Sequence, residues 1–212
     1  MHLARARFDA KTWAMLLSSG TRARAAALVS ALACACSNPP PGSGPPPIDV
    51  DPPTLGTVAG ETSTACPAGV PAGAACTELT VSCPRLDDLS VVVAVTEPSR
   101  PVVGTVYLHN NLGGVALFDY GFAEAYLAAG LRVVQPLWRS DWQNGRIGLK
   151  HAACRYATLL TWTFQQVHGA DLTKGFCAQA FGGGSGGIAF SLAQYGAGDF
   201  LDAATISAGP PF

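Results

Sequence analysis

The feature that most restricts this chain is a cluster of glycines set between a strand pattern and a helix pattern. Gly175 to Ala180 reads as a short apolar strand, and Gly182 to Gly187 then contains five glycines and one serine. Apolar spacing resumes at Ile188, predicting a helix to Tyr195, and Leu201 to Ile206 reads as a further strand. Glycine has no Cβ, so such a run allows a sharp reversal and a close approach of backbone to backbone. A strand that turns abruptly into a helix and is followed by another strand belongs to an α/β fold.

Upstream residues extend the pattern. Thr77 to Ser82 alternates polar and apolar residues as a half-buried strand does, and Leu89 to Val95 is its β-branched neighbour. These two are joined too closely for a crossover, so they are expected to pair antiparallel. Val102 to Leu108 is a third strand. Helical spacing over Ala116 to Ala129 places Phe118, Phe122, Tyr126 and Leu127 on one side, with Gly130 as the stop. Leu131 to Leu137 is a strand in which Pro136 is expected at the end. Gly148 to Val167 is a long helix closed by Gly169. The expected fold is therefore α/β, a mainly parallel sheet with helices on both faces and right-handed crossovers.

The first 36 residues read as an export signal. Arg5, Arg7, Lys11, Arg22 and Arg24 precede an apolar run from Ala25 to Cys36. At about a dozen residues that run is shorter than the roughly 20 a membrane-spanning helix needs. It ends Ala31-Leu32-Ala33-Cys34-Ala35-Cys36-Ser37, which resembles a bacterial lipoprotein signal. That resemblance implies acylation at Cys34, or alternatively at Cys36, and a cell-envelope location: anchored to a membrane, the outer one in a Gram-negative cell, or secreted. Residues 37–75 are rich in proline and glycine and read as a linker, with Ser37 to Pro53 a semi-rigid tether and the domain beginning at Cys76. Export permits disulfides among Cys66, Cys76, Cys83, Cys154 and Cys177. Cys66 and Cys76 flank a turn-rich loop that a bridge could close, but no pairing follows from spacing. The spacings do not suit a metal site. A net charge of −1 gives no electrostatic case for nucleic acid.

Gly183-Gly184-Ser185-Gly186-Gly187 fits the pattern G-x-S-x-G, in which a strained strand-to-helix turn exposes a serine and the following N–H faces a developing oxyanion. His109-Asn110-Asn111-Leu112-Gly113-Gly114 follows a strand in the same way. With these two pieces the chain resembles the α/β-hydrolase superfamily over roughly residues 77 to 207. The resemblance implies a serine hydrolase acting on ester or amide bonds through an acyl-enzyme, with no cofactor. Ser185 would attack, and backbone donors at Asn110, Asn111 and Gly186 would hold the oxyanion. Two registers stay open, because a nucleophile two residues beyond its strand would put Gly182 at the apex and Ser185 one turn into the helix. A dinucleotide reading of Gly182, Gly184 and Gly187 with Asp202 competes, but that fingerprint belongs to a first strand–helix–strand unit.

The family orders its triad serine, acid, histidine. After Ser185 stand only Asp199 and Asp202 and no histidine, while His151 and His168 precede it. The chain is thus expected to be a truncated relative that hydrolyses little by itself, since a serine without a base is a poor nucleophile. The competing expectation is a non-catalytic surface lipoprotein whose scaffold binds a ligand or partner. Trp138 to Trp142 would line a pocket there or serve as a packing lid.

Overall fold

A computed structural model of the protein describes residues 54–109, 112–117, 121–145 and 147–209. Cys34, Cys36, the tether up to Pro53 and the candidate donors Asn110 and Asn111 lie outside the described residues.

Seven strands form one sheet in the order β1-β2-β3-β5-β4-β6-β7. They are β1 Thr57–Ser63, β2 Ala75–Ser82, β3 Leu89–Thr96, β4 Gly104–His109, β5 Leu131–Trp138, β6 Gly175–Phe181 and β7 Ala203–Ser207. The first four in spatial order pair antiparallel, and β5, β4, β6 and β7 run parallel. The sheet is therefore mixed, its antiparallel part made by chain that needs no helical crossover. The central strand β4 is buried at all six residues, as expected for a parallel strand covered on both faces.

Helices cover the two faces unequally. The short helix α1, Phe122–Ala128, packs Ala123 and Tyr126 onto Val106, Leu108 and Val133. On the other face lie α2, Leu149–Trp162, and α3, Gly183–Gln194, over the larger core of Leu79, Tyr107, Val134, Phe176 and Ala178. Every residue of α2 from Ala152 to Leu160 is buried. A helix enclosed on nearly all sides has its stability set by packing rather than by propensity.

Four expectations need correction. Thr57–Ser63, assigned to the linker, pairs with β2, so the sheet begins before Cys76. The helix expected from Ala116 starts only at Phe122. Gly113, with φ 71, and Gly114, with φ 76, bend the preceding segment into a short 3-10 turn, and the exposed Ala116 has no face to bury. Pro136 sits inside β5 opposite Val93, tolerated because pairing with β4 ends at Val134 and no ladder donor is missed. The helix expected from Ile188 begins five residues earlier, at Gly183. Close packing overrides the poor helix propensity of glycine here: a Cβ on Gly187 would lie 2.3 Å from the Tyr156 ring.

Two disulfides are formed, Cys66–Cys76 and Cys83–Cys154, and Cys177 is a free thiol. The second ties the segment after β2 to the buried helix α2. No helix among the described residues is long and apolar enough to cross a membrane.

Candidate functional site

The strand-to-helix turn forms where β6 leaves the sheet. Its apex is Gly182, at φ 57 and ψ −121, between Phe181 of the strand and Gly183 of the helix. An L-residue reaches that conformation only under strain, whereas glycine adopts it freely. The Gly182 N–H donates to the Ser207 carbonyl at 2.9 Å, so the end of β7 fixes the turn.

Ser185 is one turn further on. It is 0 % exposed, and its hydroxyl donates to the Ser207 carbonyl at 2.8 Å. Its N–H closes the first helical turn onto the Gly182 carbonyl at 3.0 Å. A Cβ added to Gly209 would lie 2.5 Å from the Ser185 Cβ, so the chain after β7 covers this serine. Gly186 is buried as the fourth residue of α3, where an N–H already has a carbonyl one turn back. The donors left at the open end of the helix belong to Gly183 and Gly184. Gly183 approaches the 3-10 turn at Leu112–Gly114, since a Cβ on it would sit 3.3 Å from the Gly113 nitrogen and 2.7 Å from Nε2 of Gln143.

The loop after β5 completes the surroundings. The Gln143 N–H donates to Asp141 Oδ1 at 2.8 Å, and the Trp142 N–H donates to the Gly113 carbonyl at 3.1 Å. Buried Arg155 of α2 holds that loop, donating to the carbonyls of Trp142 and Asn144 and to that of Asp87 at 2.7 Å. Arg155, Asp87, Asp88, Ser140, Asp141 and Asn144 border a cleft of about 740 Å³. Trp138 and Trp142 are fully buried, so they pack the core rather than line an open pocket.

The three described histidines are dispersed. His109 ends β4 in the core, and burial brings its imidazole down to about 3. His151 hydrogen-bonds the Ile147 carbonyl through Nδ1 at 2.8 Å. His168 lies at the other end of β4 from His109, with Nδ1 2.9 Å from Thr105 Oγ1 and Nε2 3.0 Å from the Asp171 carbonyl. Asp202 accepts from the Phe176 N–H at 2.9 Å, a strand-end contact at the start of β6, away from the glycine turn. No group of three or more potential metal ligands occurs among the described residues.

Helices on both faces of a largely parallel sheet and a sharp glycine turn between a strand and a helix are what the sequence resemblance implies, and the structure has both, with β4 and β5 exchanged in spatial order. The fold is α/β-hydrolase-like. No family model matches the chain, and no curated protein matches it. Among solved structures it is similar to a thermostable carboxyl esterase from Bacillus coagulans, at 17% identity and a TM-score of 0.47, covering 62% of this chain and 43% of that one. Candida antarctica lipase A in its closed state is similar at 15% identity and a TM-score of 0.46, covering 72% and 42%. A carboxylesterase assigned in Lactobacillus plantarum is similar at 13% identity and a TM-score of 0.41, covering 65% and 61%. This chain thus spans less than two thirds of each of those structures. These likenesses are distant, and the fold assignment stands on the strand order and turn of this chain.

Sequence reasoning missed Gln143 and Asp141 as neighbours of the turn and Ser207 as its clamp. Nothing local marks them, because they reach the turn from the ends of β5 and β7, far from it in sequence.

Proposed function

We propose that this protein is an exported, lipid-anchored member of the cell envelope whose hydrolase-like scaffold binds a ligand or partner and carries out no serine hydrolysis of its own. The observation that carries this reading is glycine at the apex of the turn. An acyl-enzyme needs a side-chain nucleophile at the point where the strand meets the helix, and Gly182 supplies none. Ser185, the residue first suited to that role, has its hydroxyl engaged with a carbonyl and no exposed surface. The N–H groups of Gly183 and Gly184 at the open end of α3 are suited to an oxygen-rich group, which fits binding of a small ester- or peptide-like molecule. The two disulfides favour an oxidising compartment.

Fluorophosphonate labelling of the folded chain tests the reading. No labelling is expected. Labelling of wild type that disappears in Ser185→Ala would restore the enzyme reading. The anchor is tested separately by metabolic incorporation of a fatty acid, expected in wild type and abolished by replacing Cys34, or Cys36, with alanine.

A further inference from the structure

The loop between β5 and α2 carries the chain's one Asn-Gly pair, Asn144-Gly145. Elsewhere Asn38 precedes proline, Asn110 precedes asparagine and Asn111 precedes leucine. Both residues of the pair are exposed, and neither belongs to a helix or strand. An asparagine side chain can close a five-membered ring on the next backbone nitrogen. Glycine at that next position opposes the closure least, because it has no Cβ to crowd the nitrogen and the backbone turns freely. Here the glycine is set by packing, since a Cβ at 145 would lie 2.8 Å from Leu86 Cδ2.

The surroundings add a charge at the reacting amide. Arg155, only 3 % exposed, donates through Nη1 to the Asn144 carbonyl. That carbonyl is half of the Asn144–Gly145 amide, so a guanidinium on it draws electrons from the Gly145 nitrogen and eases loss of its proton. The same contact resists rotation about the Asn144 Cα–C bond. An exposed loop without ladder or helical hydrogen bonds still permits that rotation.

We propose that Asn144 is a self-modification site whose product is steered to isoaspartate by Arg155. The Gly145 nitrogen gives its proton to water and attacks Asn144 Cγ. The new N–C bond displaces the side-chain amide nitrogen, which leaves as ammonia. Water then opens the cyclic imide. Addition at the former main-chain carbonyl, the one Arg155 polarises, breaks its bond to the Gly145 nitrogen and leaves an α-carboxylate against the guanidinium. The chain then runs through the Asn144 side-chain carbons and is longer by one CH2. Either product adds a negative charge to a cleft bordered by Asp87, Asp88 and Asp141. The change falls in the loop that brings Gln143 to Gly183.

The test incubates the folded full chain, and the same chain in urea, in mildly alkaline buffer. Peptide mapping is expected to show a gain of about 1 Da at Asn144 in the folded chain. Electron-transfer fragmentation should give a higher isoaspartate-to-aspartate ratio in the folded chain than in urea, where Arg155 is not held at the carbonyl. Asn144→Gln should remove the gain from that peptide. A folded chain without the gain at Asn144, or with an equal or earlier gain at Asn110 or Asn111, overturns the proposal. So does an isoaspartate ratio in the folded chain that is no higher than in urea.

Discussion

At the scale of single residues, the glycines of the 182–187 run differ in what they do. Gly182 meets a dihedral demand, Gly187 meets a packing demand, and Ser185 fills the space between helix and strand end. Gly182→Ala is expected to cost about 1–3 kcal/mol through backbone strain, and Gly187→Ala a similar amount because its Cβ would enter the space of Tyr156. Ser185→Ala is expected to cost only about 0.5–1.5 kcal/mol, since the Ser207 carbonyl keeps the Gly182 donor. Urea unfolding of the three variants checks that order, and a Ser185→Ala cost exceeding both glycine variants would refute it. His109 supplies a pH dependence. Burial holds its folded-state value at about 3, against 6.5 for an exposed imidazole. Between those values the unfolded chain binds the extra proton, so this group makes stability fall as pH drops from 6.5 towards 3 and adds nothing further below. The slope is up to about 1.4 kcal/mol per pH unit. His109→Gln should therefore flatten the acid limb of a stability–pH curve, and an unaltered limb would show that the ring takes up its proton equally in the folded and unfolded chains.

At the scale of elements, patterning carried the strands better than the helices. β3 and β4 were legible because β-branched and apolar runs need burial on both faces, and both strands lie inside the sheet. The start of α3 was not, since five glycines in six residues argue against a helix until Tyr156 and Gln143 are known to pack against them. Pro136 misled for a similar reason: which donor a proline lacks matters only once the neighbouring ladder is known to stop at Val134. The disulfides were legible as cysteines and not as pairs. Their sequence separations of 71 and 10 differ enough to be told apart in solution. Loop-closure entropy gives about 4 kcal/mol for the longer link and about 3 for the shorter. The double variant Cys83→Ala/Cys154→Ala should lose more stability than Cys66→Ala/Cys76→Ala. It also leaves a gap against Thr158 in the core, which adds to its loss. Equal losses in urea titration would mean that the unfolded chain already holds α2 near the end of β2.

At the scale of the whole molecule, the two edges of the sheet are built differently, and this bears on what the chain does in company. β1 carries Glu61, a positive-φ glycine at 60 and an irregular register between Ala59 and Thr62, all devices that discourage a further strand. β7 reads Ala203-Ala204-Thr205-Ile206-Ser207, regular in its pairing with β6 and without charge, proline or bulge. Its three middle residues are exposed, Ile206 at 47 %, although parallel strands are ordinarily covered on both faces. The strand-to-helix turn at Gly182 was readable from a short local pattern, whereas the exposure of β7 was not, because exposure depends on what the rest of the sheet places beside a strand. Among the described residues nothing pairs with the outer side of β7, so a polypeptide of these 212 residues, prepared by itself, is expected to self-associate through that strand. Sedimentation over a concentration series is expected to show an average mass that rises with concentration. Ile206→Lys should suppress that rise by placing a charge on the open edge, and Thr62→Lys, on the protected edge, should leave it unchanged. A wild-type chain that sediments as a monomer throughout, or a rise that persists in Ile206→Lys, would show that β7 is not the adhesive edge.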